Sequence, residues 1–97
     1  MNYQALMRRA QNLQKEMLKT KEEIEKMEFE EETDLVKVKV NGKKEVLSVK
    51  LKSDSFDKED IEILEDMFLV AINRAFKNVD DVTAKKMDKY SSLAGLF

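Results

Sequence analysis

The chain has 97 residues, no Cys, no His and no Trp; charged residues make up 39% of it and the formal net charge is −2. That length bounds it to one domain, residues 1–97, whose modest core would gain from association. The missing Cys and His exclude disulfide frameworks, thiolate chemistry, zinc fingers, His-based triads and most transition-metal sites, and fit a reducing cytoplasm.

Residues 1–27 read as one helical arm. Tyr3, Ala10, Met17 and Ile24 fall seven apart, as do Leu6, Leu13, Thr20 and Met27, which makes a narrow 3-4 heptad seam suited to another helix. At 1.5 Å per residue it spans roughly 37 Å, more than its own sheet needs, so part of it is expected to project or to lie on a second chain. Opposite the seam, Arg8, Lys15, Lys19 and Lys26 form a basic stripe flanked by Arg9 and interrupted by Glu22.

Residues 28–53 read as a three-stranded meander. Phe29 continues an alternation begun at Met27 and Glu28, and a two-residue turn at Thr33-Asp34 would set Phe29 opposite Val38 and Met27 opposite Val40. On the polar side that register pairs Glu30 with Lys37 and Glu28 with Lys39, each pair contributing roughly 0.2–1 kcal/mol. The next stretch, LVKVKVNGKKEVLSVKLK, alternates strictly around Asn41-Gly42 and predicts a hairpin with a two- or four-residue loop. Val36, Val38, Val40, Leu47, Val49 and Leu51 share the face to be covered; Lys37, Lys39, Lys44, Lys50 and Lys52 share the wet one.

After a polar break, Asp57 suits an N-cap and opens a second helix over 57–90. Its main apolar face is Ile61, Leu64, Phe68, Ala71, Ile72, Ala75, Phe76, Val79 and Val82. A second face, Ile63, Met67 and Val70, lies well around the cylinder. One small sheet cannot cover both, so a second copy of the chain is the expected cover for the second face, making these three residues a homodimer interface. The tail 91–97, with Gly95, reads as a helix stop and a loose end. No apolar run approaches the ~20 residues of a membrane span and no signal peptide is visible, so no membrane role is expected.

Charge comes in blocks. Residues 1–21 carry five basic and one acidic side chain, 28–34 five acidic, 35–53 six basic and one acidic, 54–68 seven acidic and one basic, and 69–97 five basic and three acidic. Screening over ~8 Å at physiological salt makes attraction local, so a slightly acidic total can hide basic patches.

Little else carries chemistry. Glu28, Glu30, Glu31 and Glu32 lack the spaced oxygens and turn Gly of a calcium loop, and Lys37 and Lys39 are at hand to pair with them. Glu62, Glu65 and Asp66 sit on an open helix surface with nothing to desolvate them. No Gly-rich phosphate loop exists, and Met7, Met17, Met27, Met67 and Met87 read as core and seam filler. No catalytic residue, metal or cofactor is expected, and no enzymatic activity. The functional candidates are the arm's basic stripe and a second basic group, Arg74, Lys77, Lys85, Lys86 and Lys89. A two-fold dimer would present each twice at a fixed spacing, which suits phosphate contacts.

Three stretches in this order, MRRAQNLQKEM, VKVKVNGKKEVLSVKL and LEDMFLVAINRAF, resemble the YbaB/EbfC family of bacterial nucleoid-associated proteins over nearly the whole chain. In the last, Leu64, Glu65, Asp66, Ala71, Asn73 and Ala75 fit the family's pattern. The resemblance implies an α-β-β-β-α homodimer with projecting helical arms, shaped like tweezers, that binds double-stranded DNA in the nucleoid with relaxed sequence preference. It implies contacts from Arg8, Arg9, Lys15 and Lys19 and from the basic end of the second helix. Glu32-Thr33-Asp34 stands where the family usually has a Gly-rich turn, and the tail here is shorter.

The expected fold is therefore α+β: a three-stranded antiparallel sheet between two long helices. The expected function is non-enzymatic binding of duplex DNA through its phosphate backbone. The alternative is a dimeric protein-interaction module that uses the heptad seam, with charge serving only solubility.

Overall fold

The computed structural model describes residues 2–91. Helix α1 spans Tyr3–Lys26, strands β1, β2 and β3 span Glu28–Glu32, Val36–Asn41 and Val46–Leu51, and helix α2 spans Ile61–Met87. Short 3-10 turns, Lys58–Asp60 and Asp88–Tyr90, flank α2. The strands form one antiparallel sheet in the order β1-β2-β3, so the α+β expectation holds. The tail beyond Ser91 lies outside the described residues.

The Asn2 side chain accepts a hydrogen bond from the Ala5 N–H and starts α1. At its other end the chain turns into β1 through Met27, whose N–H still donates to the Ile24 carbonyl at 3.0 Å. The turn between β2 and β3 presses against this end. Gly42 donates its N–H to the Met27 carbonyl, and a Cβ on Gly42 would lie 1.7 Å from the Ile24 oxygen. The glycine is required by this close approach, since its own φ is not positive.

The positive φ falls instead on Lys44, at 61°. Asn41 is the corner of the loop: its Oδ1 accepts from the Lys43 and Glu45 N–H groups at 2.9 and 3.0 Å, and its N–H donates to the Glu45 carbonyl. The strands leave the four residues Gly42–Glu45 between them, one of the two expected lengths, with the Asn41 N–H to Glu45 carbonyl bond closing the loop. One step later a bulge shifts the register, where Val40 faces Val46 and Leu47 is the extra residue. Beyond the bulge the expected parity returns, with Val38 opposite Val49 and Val36 opposite Leu51.

The first-strand register differs from the expected one by two residues. Phe29 pairs with Val40, Glu30 with Lys39, Glu31 with Val38 and Glu32 with Lys37. The cause is Thr33. Its hydroxyl accepts from the Leu35 and Val36 N–H groups at 3.4 and 3.2 Å, and its own N–H donates to the Val36 carbonyl. Thr33 is therefore the first residue of the turn, and Asp34-Leu35 are its centre. A shift of two preserves parity, so Phe29 stays on the covered face; Glu31 joins it there and accepts from the Asn78 side chain of α2 at 2.7 Å.

On that face Val36, Val38 and Val40 are fully buried beneath Ala71, Ala75 and Val79 of α2. These three recur at i, i+4 and i+8, and the two alanines let the helix axis approach the sheet. Phe29, Leu35, Leu64, Met67, Phe68, Ile72 and Phe76 surround them. Asp60 accepts from the Asp57 N–H at the start of the helical segment, close to the expected boundary.

Past the sheet, α2 runs alongside α1 in the opposite direction. Thr83 and Met87 share a cleft with Ile24 and Met17, and the Tyr90 hydroxyl, on a buried residue, lies 3.1 Å from that of Thr20. Thr20, the one polar member of the seam, thus has a specific partner. The remaining half of α1 continues past the end of α2. The molecule measures 72 × 19 × 16 Å, with a radius of gyration of 19.8 Å, against about 12–13 Å for a compact chain of this length.

Candidate nucleic-acid interface

Helical spacing and one-sided packing position the basic residues. The seam residues Ala10, Leu13, Met17, Thr20, Ile24 and Met27 are among the less exposed ones along α1, and from Met17 onward α2 or its terminal turn lies on that side. Arg8, Lys15 and Lys19 fall on the opposite side and are exposed, as is Arg9 on the flank. From Tyr3 to Arg9 every residue is exposed, and Tyr3 is 71% so, which makes the first two turns of α1 a free-standing arm.

The ion pairs sort the cations. Among the described residues Lys37 pairs with Glu30 at 3.4 Å, Lys39 with Glu28 at 3.8 Å and with Glu30 at 3.5 Å, Lys44 with Asp80, and Lys52 with Glu32 at 2.7 Å. The two expected pairings are both made, although diagonally in the observed register. The Lys52 ammonium, by hydrogen bond and then by charge, holds the Glu32 carboxyl below its ordinary value. Every one of these paired cations belongs to the sheet or its loops. Arg8, Arg9, Lys15 and Lys19 have no carboxylate within ion-pair distance among the described residues, nor do Arg74, Lys77, Lys85, Lys86 and Lys89.

The second basic group divides in two. Lys85, Lys86 and Lys89 line an open groove of about 620 Å³ between the helices, with Thr20, Glu23, Met27 and Val82, and the Lys89 ammonium sits 5.1 Å from the centre of the Tyr90 ring. Arg74 and Lys77 are exposed midway along α2, over the sheet. The fold does not merge these lysines with the arm stripe, which faces away from α2.

The apolar surface left uncovered is larger than the sequence reading located. Ile63 and Val70 are exposed, as expected for a second face. Met67 is half-buried against the sheet core and accepts a hydrogen bond from the Thr33 hydroxyl at 3.5 Å. This contact and Glu31–Asn78 put that flank of α2 toward β1. On the other side Val46, Leu47, Val49 and Leu51 of β3 are all about half exposed, and Leu69 is 60% exposed. A helix about 10 Å wide covers roughly two strands spaced 4.8 Å apart, and α2 lies on β1 and β2. Leu47, Val49 and Leu51, expected on the covered face, are therefore left open, and strand count against one helix width is the signal that would have pointed to them.

Among the described residues no group of three or more carboxylates is arranged to hold a metal ion, and no helix is long and apolar enough to cross a membrane.

A family model described as the YbaB/EbfC DNA-binding family matches residues 1–94. A nucleoid-associated protein of Clostridium novyi is 40% identical over 102 residues, spanning 100% of this chain and 90% of its own. One from Clostridium kluyveri is 40% identical over 101 residues, spanning 99% and 89%. One from Streptococcus pneumoniae is 39% identical over 93 residues, spanning 94% of each chain.

Proposed function

The chain belongs to the YbaB/EbfC DNA-binding family, and from that premise we propose that it is a non-enzymatic nucleoid protein that binds double-stranded DNA as a homodimer. The projecting arm grips the phosphate backbone through Arg8, Arg9, Lys15 and Lys19. The observation that carries this reading is the sorting of charge: of the sheet lysines, Lys37, Lys39 and Lys52 are paired and Lys50 is not, while all four of the arm's cations stand exposed with no carboxylate in range among the described residues. A paired cation has already exchanged its counterions for a fixed anion. A free one releases condensed counterions when it meets a phosphate, and that release drives binding. Lys85, Lys86 and Lys89 extend the basic surface along the helical stem, and Arg74 and Lys77 are secondary contacts. With no base-reading element in the fold, discrimination follows the shape and deformability of the duplex.

The homodimer supplies the second arm. Its interface takes in the uncovered row of β3 together with Ile63, Val70 and the open part of Met67 on α2.

The test is retention of random duplex DNA in a gel shift. Arg8→Glu with Lys15→Glu abolishes retention while the oligomeric state is unchanged. Neutralising the same two positions to Gln lowers the slope of log affinity against log salt by about two per arm. Retention that ignores both variants, or a flat salt response, favours a protein-interaction module over a DNA-binding arm.

A further inference from the structure

The apolar seam of α1 is used only in part. From Met17 onward it meets α2 or the Asp88–Tyr90 turn, whereas Tyr3 and Leu6 are exposed and Ala10 and Leu13 are half-buried. We propose that this open stretch is the contact surface for the same stretch of a second copy, the two arms lying antiparallel as a short two-helix coil. Ala10 of each chain faces Leu13 of the other, and Leu6 faces Met17.

Charge selects both the occupant and its direction. In a heptad helix the positions that flank the seam choose the partner. On one flank, immediately before Ala10 and Met17, stand Arg9 and Glu16. Both are exposed, and neither has an ion-pair partner among the described residues. Glu16 is the one acidic side chain among residues 1–21, against five basic ones. Seven residues apart, Arg9 and Glu16 are separated by about 10 Å along their own helix, beyond pairing distance. An antiparallel copy with Ala10 facing Leu13 brings each Arg9 level with the other chain's Glu16, so both pairs close at once. A parallel copy would set Arg9 beside Gln14, and its later turns would run into the place that α2 occupies. In the antiparallel register the second helix begins at Tyr3, level with Thr20, where the Tyr90 turn takes over the seam. That register also puts the Lys26 ends of the two copies about 43 Å apart, so their sheets cannot touch each other. The arm contact therefore joins a different pair of chains from the one joined through β3, and links one homodimer to the next. Arg8, Lys15 and Lys19 lie on the far side of α1 and stay free for phosphate; that consequence alone rests on the DNA-binding reading.

The chain has no native cysteine, so single cysteines report the contact. Under a short bis-maleimide, and without DNA, Ala10→Cys links chain to chain at least about ten-fold faster than Lys15→Cys, because position 15 lies on the far side of the helix. Added to Ala10→Cys, either Arg9→Glu or Glu16→Arg sets like charges opposite one another twice and slows that link by about ten-fold. Mixing the two singly reversed chains, one of them tagged, restores the link between unlike chains, since each charge then meets its opposite. Positions 9 and 16 are exposed, so the helical signal stays that of the parent. Equal rates at positions 10 and 15 overturn the proposal. A link indifferent to either reversal overturns it too, as does a mixture that stays slow. None of these readouts involves DNA, so failure here leaves the DNA-binding reading to its own test.

Discussion

At the scale of single residues, three positions decide how the sheet meets α1. Gly42 permits contact between the hairpin loop and the end of the helix, Lys44 takes the left-handed conformation, and Thr33 sets the first turn. The sequence marks Gly42 as special but suggests the wrong reason. Asn-Gly reads as the turn of a hairpin with two or four loop residues, whereas here Asn41 holds the corner with its side chain and Gly42 is needed because the Ile24 carbonyl is against it. Gly42→Ala tests this distinction. The backbone conformation suits alanine, so the penalty is purely steric. A Cβ 1.7 Å from Ile24 O and 2.5 Å from Ile24 C can be relieved only by moving α1 away from the loop. The expected loss is about 3 kcal/mol, the upper part of the usual overpacking range, read from the urea midpoint. A stability equal to the parent's would show that the loop and helix are not in contact. Lys44→Gly, which relaxes a positive φ, has the opposite sign, offset in part by loss of the pair with Asp80.

At the scale of elements, what was legible was what depends on period. The two helices, the three strands and the buried valine row follow from spacing of 3.6 or 2, and the structure contains each of them. What was not legible depended on single hydrogen bonds. The register of β1 hung on whether Thr33 sits inside its turn or at its start, and only the hydroxyl's two acceptor contacts decide that. Parity protected the reading: a two-residue error kept Phe29 on the covered face and left the Glu30–Lys37 and Glu28–Lys39 pairs within reach. For the candidate interface, the basic stripe and its position opposite the seam were readable from spacing; the division of the second basic group was not, because it depends on where α2 passes α1. The observed register also creates a pair the expected one does not specify, Glu32 with Lys52, which ties the end of β1 to the end of β3 across the start of β2. Lys52 depresses the Glu32 carboxyl, so the pair's contribution is present above the ordinary carboxylate value of 4.5 and is lost as pH falls through the lower folded value. Lys52→Met therefore lowers stability near neutral pH, and the difference disappears in acid once Glu32 is protonated in both folded and unfolded states. The pair is exposed, so the neutral-pH difference is small, and the diagnostic is its disappearance in acid, followed by urea unfolding across the pH range.

At the scale of the molecule, the fold is incomplete in a particular place. One helix lies over two strands of a three-stranded sheet, which leaves the apolar row of β3 and much of the circumference of α2 near Ile63, Leu69 and Val70 in water. An exposed apolar edge strand is a hazard unless something covers it. A second copy, the occupant proposed above, would also provide the second arm. The sequence reading placed the interface on Ile63, Met67 and Val70, and the uncovered β3 row is a further candidate surface. Two single substitutions separate them. Val49→Asp puts a carboxylate in the middle of the β3 row, and Val70→Asp does so on the α2 flank that faces β1. Both positions are about half exposed in one chain, at 52% and 42%, so neither change creates a buried charge in the monomer. If the interface takes in both surfaces, each variant alone sediments as a monomer with the helical signal largely kept, and each loses DNA retention because one arm by itself halves the number of phosphate contacts. If Val49→Asp dissociates the dimer and Val70→Asp does not, the contact belongs to β3 and the α2 flank is free surface. A dimer that survives both substitutions removes the two-armed arrangement, and with it the explanation for a chain that projects half of its first helix beyond its own core.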